Sequence, residues 1–217
     1  MARQNSISGD LSISGDCRIG GSITPAKAKS AILQQESAQA FPIPLTDFRT
    51  FDAMGTPLPS AGTQADDLWL VGGTHGTNTP TLQSDDHDSE GSPQKCYGRV
   101  LVQLPWEYVA GSAITLRFMA GMITNIADQA ATTSLDCSVY KQEDDPDDAI
   151  GSDLCTTIAQ IAVNSTTFAN QDFTVTATGL SAGDILDVLI TTAVDDDATG
   201  TAVIMGISWA HLLCDVR

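Results

Sequence analysis

The 217-residue chain is short of basic side chains: ten Lys and Arg stand against 27 Asp and Glu, a formal net charge of −17. The deficit is uneven. Residues 1–29 hold Arg3, Arg18, Lys27 and Lys29 against Asp10 and Asp16, whereas the remainder holds six basic and 25 acidic groups. A body this acidic repels phosphate backbones, so no nucleic-acid partner is expected. No run of about 18 apolar residues occurs, so no membrane-spanning helix and no membrane partner are expected. The opening MARQNSISGD lacks an apolar signal core, which predicts no secretory leader and synthesis in a cytoplasm. The five cysteines (Cys17, Cys96, Cys137, Cys155, Cys214) are odd in number and contain no CxxC pair, so neither a disulfide framework nor a zinc site is expected.

Catalytic signatures are missing as well. There is no GxSxG elbow, Walker loop, GxGxxG turn or HExxH helix. His75, His87 and His211 share no ligand-like spacing, and each reads first as a loop or sheet residue. The acidic runs Asp85–Asp88, Glu143–Asp148 and Asp195–Asp197 offer hard oxygen ligands without the EF-hand pattern. Asp195, Asp196 and Asp197 are the better Ca²⁺ candidates, because they interrupt an otherwise apolar stretch. With 27 acids present, some carboxylate pair will always resemble a glycosidase pair, so that resemblance has no specificity. The expectation is a protein that is not an enzyme, with no cofactor beyond a candidate Ca²⁺.

The chain does contain a repeat. Residues 7–24 read in sixes as ISGDLS, ISGDCR and IGGSIT, with Ile7, Ile13 and Ile19 opening each unit and Leu11, Cys17 and Ile23 standing fifth. Apolar first and fifth positions around a tight glycine suit a turn-rich β coil of one short strand per unit. Three units cannot close a core alone, and winding three copies together supplies the missing surface. An ordinary hairpin also fits, since Ile7, Gly9, Leu11 and Ile13 alternate. Residues 25–39 follow as helix formers behind a Thr24 cap and Pro25, with a thin stripe of Ala28, Ala31, Ile32 and Ala38. Pro42 and Pro44 then read as a stiff link.

From about Leu45 the pattern is β. Residues 99–104, 114–120, 135–141 and 173–177 alternate, and residues 185–191 and 202–216 are evenly apolar in the manner of central or interface strands. Turn clusters separate them, at 105–112, 144–151, 181–184 and 195–200. Apolar residues make up 42%, enough for a core. The predicted fold is mainly β: an antiparallel, jelly-roll-like β-sandwich over residues 45–217, a linker helix and proline link over 25–44, and a repeat β arm over 1–24. Cys137 falls on the inward side of its strand as a small apolar filler. Trp209 reads as core or interface; for Trp106, after Pro105 at a strand end, core or interface packing is again the favoured reading and an exposed ring that stacks on sugar is the alternative.

The layout resembles virion structural proteins of tailed bacteriophages, which combine a Gly-rich repeat, a linker helix and a β-sandwich. The resemblance rests on Ile7–Ile23, on TPAK…AILQQ over 24–35, and on the blocks DDLWLVGG (66–73), LPWEYVAG (104–111), LSAGDILD (180–187) and LLCDVR (212–217). It implies a capsid cement, decoration or head-fibre protein: a homotrimer bound to the major capsid protein on the outside of the virion, made in a bacterial cytoplasm. In that reading the arm residues Ile7, Leu11, Ile13, Arg18, Ile19 and Ile23 trimerise and dock on capsid. The alternative is a receptor-binding fibre or spike that recognises host glycans.

Overall fold

The computed structural model describes residues 37–60, 66–85, 94–123, 132–157, 159–195 and 203–216. The chain divides into units 1–35 and 36–217, and every described residue belongs to the second. The repeat arm, including Ile7, Leu11, Ile13, Arg18, Ile19 and Ile23, therefore lies outside the described residues.

Among the described residues ten strands form the body: β1 (Ser37–Ile43), β2 (Trp69–Val71), β3 (Thr81–Gln83), β4 (Gln94–Gln103), β5 (Ile114–Met122), β6 (Thr132–Lys141), β7 (Ile161–Ala162), β8 (Ala169–Val175), β9 (Ile185–Asp195) and β10 (Met205–Val216). A single 3-10 turn, Leu45–Asp47, is the only helical element among the described residues. The first sheet runs β2-β3-β10-β5-β8, with β1 also on β10, and the second runs β4-β9-β6-β7. All strand pairings are antiparallel. Strand β3 thus pairs with β10, β4 with β9, β5 with β8 and β6 with β7. This nesting of hairpins across two sheets is the jelly-roll arrangement, and the expected β-sandwich is present.

Period-two alternation decides what each sheet buries. Leu135, Cys137 and Val139 of β6 point inward, as do Ile114, Leu116 and Phe118 of β5 and Leu186, Val188 and Ile190 of β9. These inward faces form one core, in which Phe118 and Phe173 meet edge to face with ring centroids 5.9 Å apart. The evenly apolar last segment is β10, which has β5 on one side and both β1 and β3 on the other. A bulge at Ser208 shifts its register between Ile207 and Trp209. Trp209 consequently faces outward, half-buried against His211, rather than into the core.

The front of the body differs from the sequence reading. A helix through residue 39 and a link through Pro44 are expected, yet Ser37–Ile43 is a strand matched residue for residue with Val216–Ala210. Residues 25–36 lie outside the described residues. Helix propensity is a weak preference, and seven consecutive pairings that bury Ile43 override it. Pro42 is tolerated because β1 pairs with β10 alone among the described strands, and an edge strand needs no N–H on its outer side.

Candidate functional site

The outward face of the second sheet carries the site. Alternation that sends Val100 and Val102 inward sends Arg99 and Leu101 outward on β4, and likewise Asp187 and Leu189 on β9 and Tyr140 on β6. Asp187 lies opposite Leu101 on one side and Tyr140 on the other, while Arg99 lies opposite Leu189. Arg99 and Asp187 are therefore diagonal neighbours, within reach of long side chains. Nε of Arg99 donates to Oδ1 of Asp187 at 2.7 Å, and Nη2 donates to Oδ2. This is a two-point fork, stronger and more directional than a single ion pair. The carboxylate beside it raises the Arg99 guanidinium further above its ordinary value, so the arginine stays charged.

A loop completes one wall. Arg49 and Arg99 exchange backbone hydrogen bonds at 2.8 and 3.0 Å, laying residues 49–51 along β4. Phe51 is then fixed at three points. Its N–H donates to Oδ1 of buried Asp67 at 3.2 Å, its carbonyl accepts from Nη1 of Arg99 at 3.4 Å, and its ring lies 4.6 Å from that of Tyr97. Burial pushes the Asp67 carboxyl above the usual carboxylate range, and the Phe51 N–H only partly offsets that. The opposite wall is the loop that carries Ile150, which is 61% exposed.

Between these walls lies a 410 Å³ groove lined by Phe51, Arg99, Tyr140, Ile150, Asp187 and Leu189. Ligand sites typically span about 300–1,000 Å³ and combine apolar walls with a few convergent polar groups. An adjoining 260 Å³ recess shares Arg99, Tyr140 and Asp187 and opens toward the acidic loop Glu143–Asp148. A further depression of 470 Å³, between Pro44, Leu45, Leu70 and Pro80, has no charged residue in its lining. The groove thus offers ring faces beside a fixed donor and acceptor pair. Three hydrogen bonds from the guanidinium go to Asp187 and Phe51, out of five donors, and each carboxylate oxygen retains a second lone pair.

Trp106 stands at the end of the same β4–β9 pair and is 75% exposed. Its six-membered ring occupies the space a side chain at 183 would fill: a Cβ placed on Gly183 would sit 2.6 Å from Cζ3 of the indole. Gly183 has φ +87°, so glycine is required there for its backbone as well as for the ring. The sequence favours core or interface packing and holds exposure as the alternative; the 75% exposure takes Trp106 out of the core.

The remaining candidates scatter. Asp195 is the last residue of β9, opposite Thr132, while Asp196 and Asp197 lie outside the described residues. Among the described residues no cluster of three or more His, Cys, Asp or Glu is arranged to hold a metal ion. His75 is exposed in a turn, His211 packs on Trp209 with ring centroids 4.6 Å apart, and His87 lies outside the described residues. Trp69 is half-buried in β2, and its indole N–H is buried with no hydrogen-bond partner among the described residues. No helix among the described residues is long and apolar enough to cross a membrane.

No protein-family model matches the chain, and no curated protein sequence matches it. Solved structures give loose likenesses. The CBM22-2 xylan-binding domain of Paenibacillus barcinonensis Xyn10C is 11% identical over 77% of this chain and 91% of its own, with a TM-score of 0.41. The CBM22-1 xylan-binding domain of the same protein is 9% identical over 70% and 81%, with a TM-score of 0.36. The carbohydrate-binding module TmCBM27, described in terms of mannan recognition, is 12% identical over 83% and 98%, with a TM-score of 0.35. Likeness at this level carries no inference about ligand.

Proposed function

We propose that the protein is a non-enzymatic structural protein of a virion, and that its jelly roll recognises surface glycans through the groove on the second sheet. The observation that carries the glycan half is the Arg99–Asp187 fork set between Tyr140, Phe51 and Leu189. A sugar ring presents an apolar face and a rim of hydroxyls. The aromatic and aliphatic walls suit the face, while the guanidinium and carboxylate suit the rim, each hydroxyl both donating and accepting. Trp106 adds an exposed ring at the end of the same strand pair. The virion half rests on the resemblance of the repeat, linker and sandwich blocks, and it places a homotrimer on the particle exterior. Binding of the full chain to a printed array of bacterial surface glycans tests the glycan half. Retention of signal by wild type and its loss in Tyr140→Ala supports it, and an array blank at high protein concentration overturns it.

Capsid cement is the second reading, favoured by how the chain enters the body. Strand β1 is paired with β10 over seven residues, so from Ser37 onward the polypeptide is part of the sandwich. In that reading the arm residues Ile7, Leu11, Ile13, Arg18, Ile19 and Ile23 dock on the major capsid protein, and a trimer multiplies weak contacts by avidity. Co-sedimentation with undecorated capsids, with and without residues 1–24, tests it. Binding that persists after the deletion removes the arm from the account.

A further inference from the structure

An arginine in a sugar-sized groove would ordinarily recruit an acidic ligand, and the register of the second sheet prevents it here. Asp187 lies directly opposite Tyr140 of β6 and diagonal to Arg99 of β4. Its two oxygens accept from Nε and Nη2 of Arg99, and the Phe51 carbonyl accepts from Nη1. The edge of the guanidinium that could grip a ligand carboxylate or phosphate at two points is therefore already closed.

The adjoining recess repeats the arrangement. Its other cation, Lys141, has Nζ 3.3 Å from Oδ2 of Asp184, an oxygen that also accepts from the Ser181 N–H at 2.8 Å. Five carboxylates line the recess beside these two paired cations: Asp187 and, from the loop, Glu143, Asp144, Asp145 and Asp148. No ion pair among the described residues reaches the four carboxylates of the loop. Groove and recess share Arg99, Tyr140, Ile150 and Asp187 in their linings. Charges at a surface act over about 8–10 Å at physiological salt, so a ligand in the groove meets the field of the recess as well.

Resting on the glycan reading of the groove, we propose that Asp187 is its specificity-determining residue: by closing Arg99 it restricts the site to uncharged sugars and excludes those carrying an ionised carboxylate or phosphodiester. A sugar hydroxyl both donates and accepts, so it can satisfy a free lone pair of Asp187 and a remaining guanidinium N–H at once. An ionised carboxylate or phosphodiester has no proton to give Asp187. It must stand beside that carboxylate in an acidic lining, or pull Arg99 away and leave Asp187 without its partner. Either course weakens binding, and placing like charge against the wrong ligand is a general route to discrimination.

The test is an array printed with matched oligosaccharides, each neutral member beside a counterpart bearing a uronic carboxylate or a phosphodiester. It is read with full-length wild type and with Asp187→Asn. Wild type should bind neutral members and no acidic counterpart. The amide in Asp187→Asn offers one acceptor oxygen and no charge, which frees the guanidinium. That variant should lose neutral-sugar signal about tenfold and gain binding to acidic counterparts. The gain separates specificity from damage, because a variant that only disrupts the groove loses every signal. Wild type that binds acidic members as strongly as neutral ones overturns the proposal and leaves the glycan reading standing. An Asp187→Asn protein that melts cooperatively and still binds no acidic member does the same. A blank array for both proteins overturns the glycan reading itself, and this proposal with it. The wild-type comparison needs no substitution, so it is decisive even where Asp187→Asn does not fold.

Discussion

Arg99 and Asp187 are 88 residues apart in the chain, yet the guanidinium of one is closed as a fork on both carboxylate oxygens of the other. Two strands in antiparallel register bring them to diagonal positions, and the outward half of the alternation leaves them at the floor of the groove. Arg99→Lys keeps the charge but cannot reproduce the fork or hold the Phe51 carbonyl. Because the pair is partly solvated, the loss of folding stability should be small, about 1 kcal/mol, measured by urea denaturation. Glycan affinity should fall at least tenfold in the same variant, measured by titration calorimetry. Equal affinity for the two proteins would remove the fork from the site.

Gly183 and Trp106 make a second linked pair. Gly183→Ala places a methyl 2.6 Å from the indole and forces a non-glycine residue to hold φ +87°. The expected cost is about 1–2 kcal/mol, together with a shift in tryptophan emission as the ring is displaced. Trp106→Ala should leave the core intact, since the side chain is 75% exposed, and should weaken glycan binding about tenfold if its ring stacks on sugar.

Asp67 provides a pH signature. Its folded-state value is raised by burial, so the native protein holds this proton more tightly than the unfolded chain does. Stability from this group is therefore greatest below its unfolded value and declines as pH rises through the raised one. Asn at this position keeps the oxygen that accepts from the Phe51 N–H without the buried charge. Asp67→Asn should flatten stability against pH across the weakly acidic range and be no less stable than wild type at neutral pH. Melting curves from pH 4 to 7, roughly the interval above an ordinary carboxylate value, check this.

Truncation separates the arm from the body. Removing residues 1–36 leaves every described strand in place, so the sandwich should still fold and melt cooperatively. Removing residues 1–43 also takes β1, exposes one edge of β10 and loses the buried Ile43, which should cost at least about 2 kcal/mol. Identical melting of the two truncations would mean that β1 adds nothing to the sandwich.

The long strands were legible because alternation is a local signal. Leu135, Cys137 and Val139 read as inward in sequence and are inward in space, and the evenly apolar 202–216 contains the central strand β10. The short strands β2, β3 and β7, of two or three residues each, are too brief to show a period. Strand β1 was hidden by alanine and glutamine, residues that favour helix until a partner strand is available. The site was half visible. Exposure of Trp106 was legible only as an alternative, by its place after Pro105, and Arg99, Asp187, Tyr140 and Phe51 come from four separate segments. Only the β4–β9–β6 register and the Asp67 anchor bring those four together.

The central claim is that the groove over Arg99 and Asp187 recognises glycan, and the most direct measurement is the glycan array run on full-length wild type beside Tyr140→Ala. The account predicts discrete binding to one or a few surface glycans by wild type, and loss of those signals in a variant whose melting is unchanged. No binding to any glycan, from a protein that co-sediments with capsids at constant stoichiometry, would contradict it and leave the cement reading in its place.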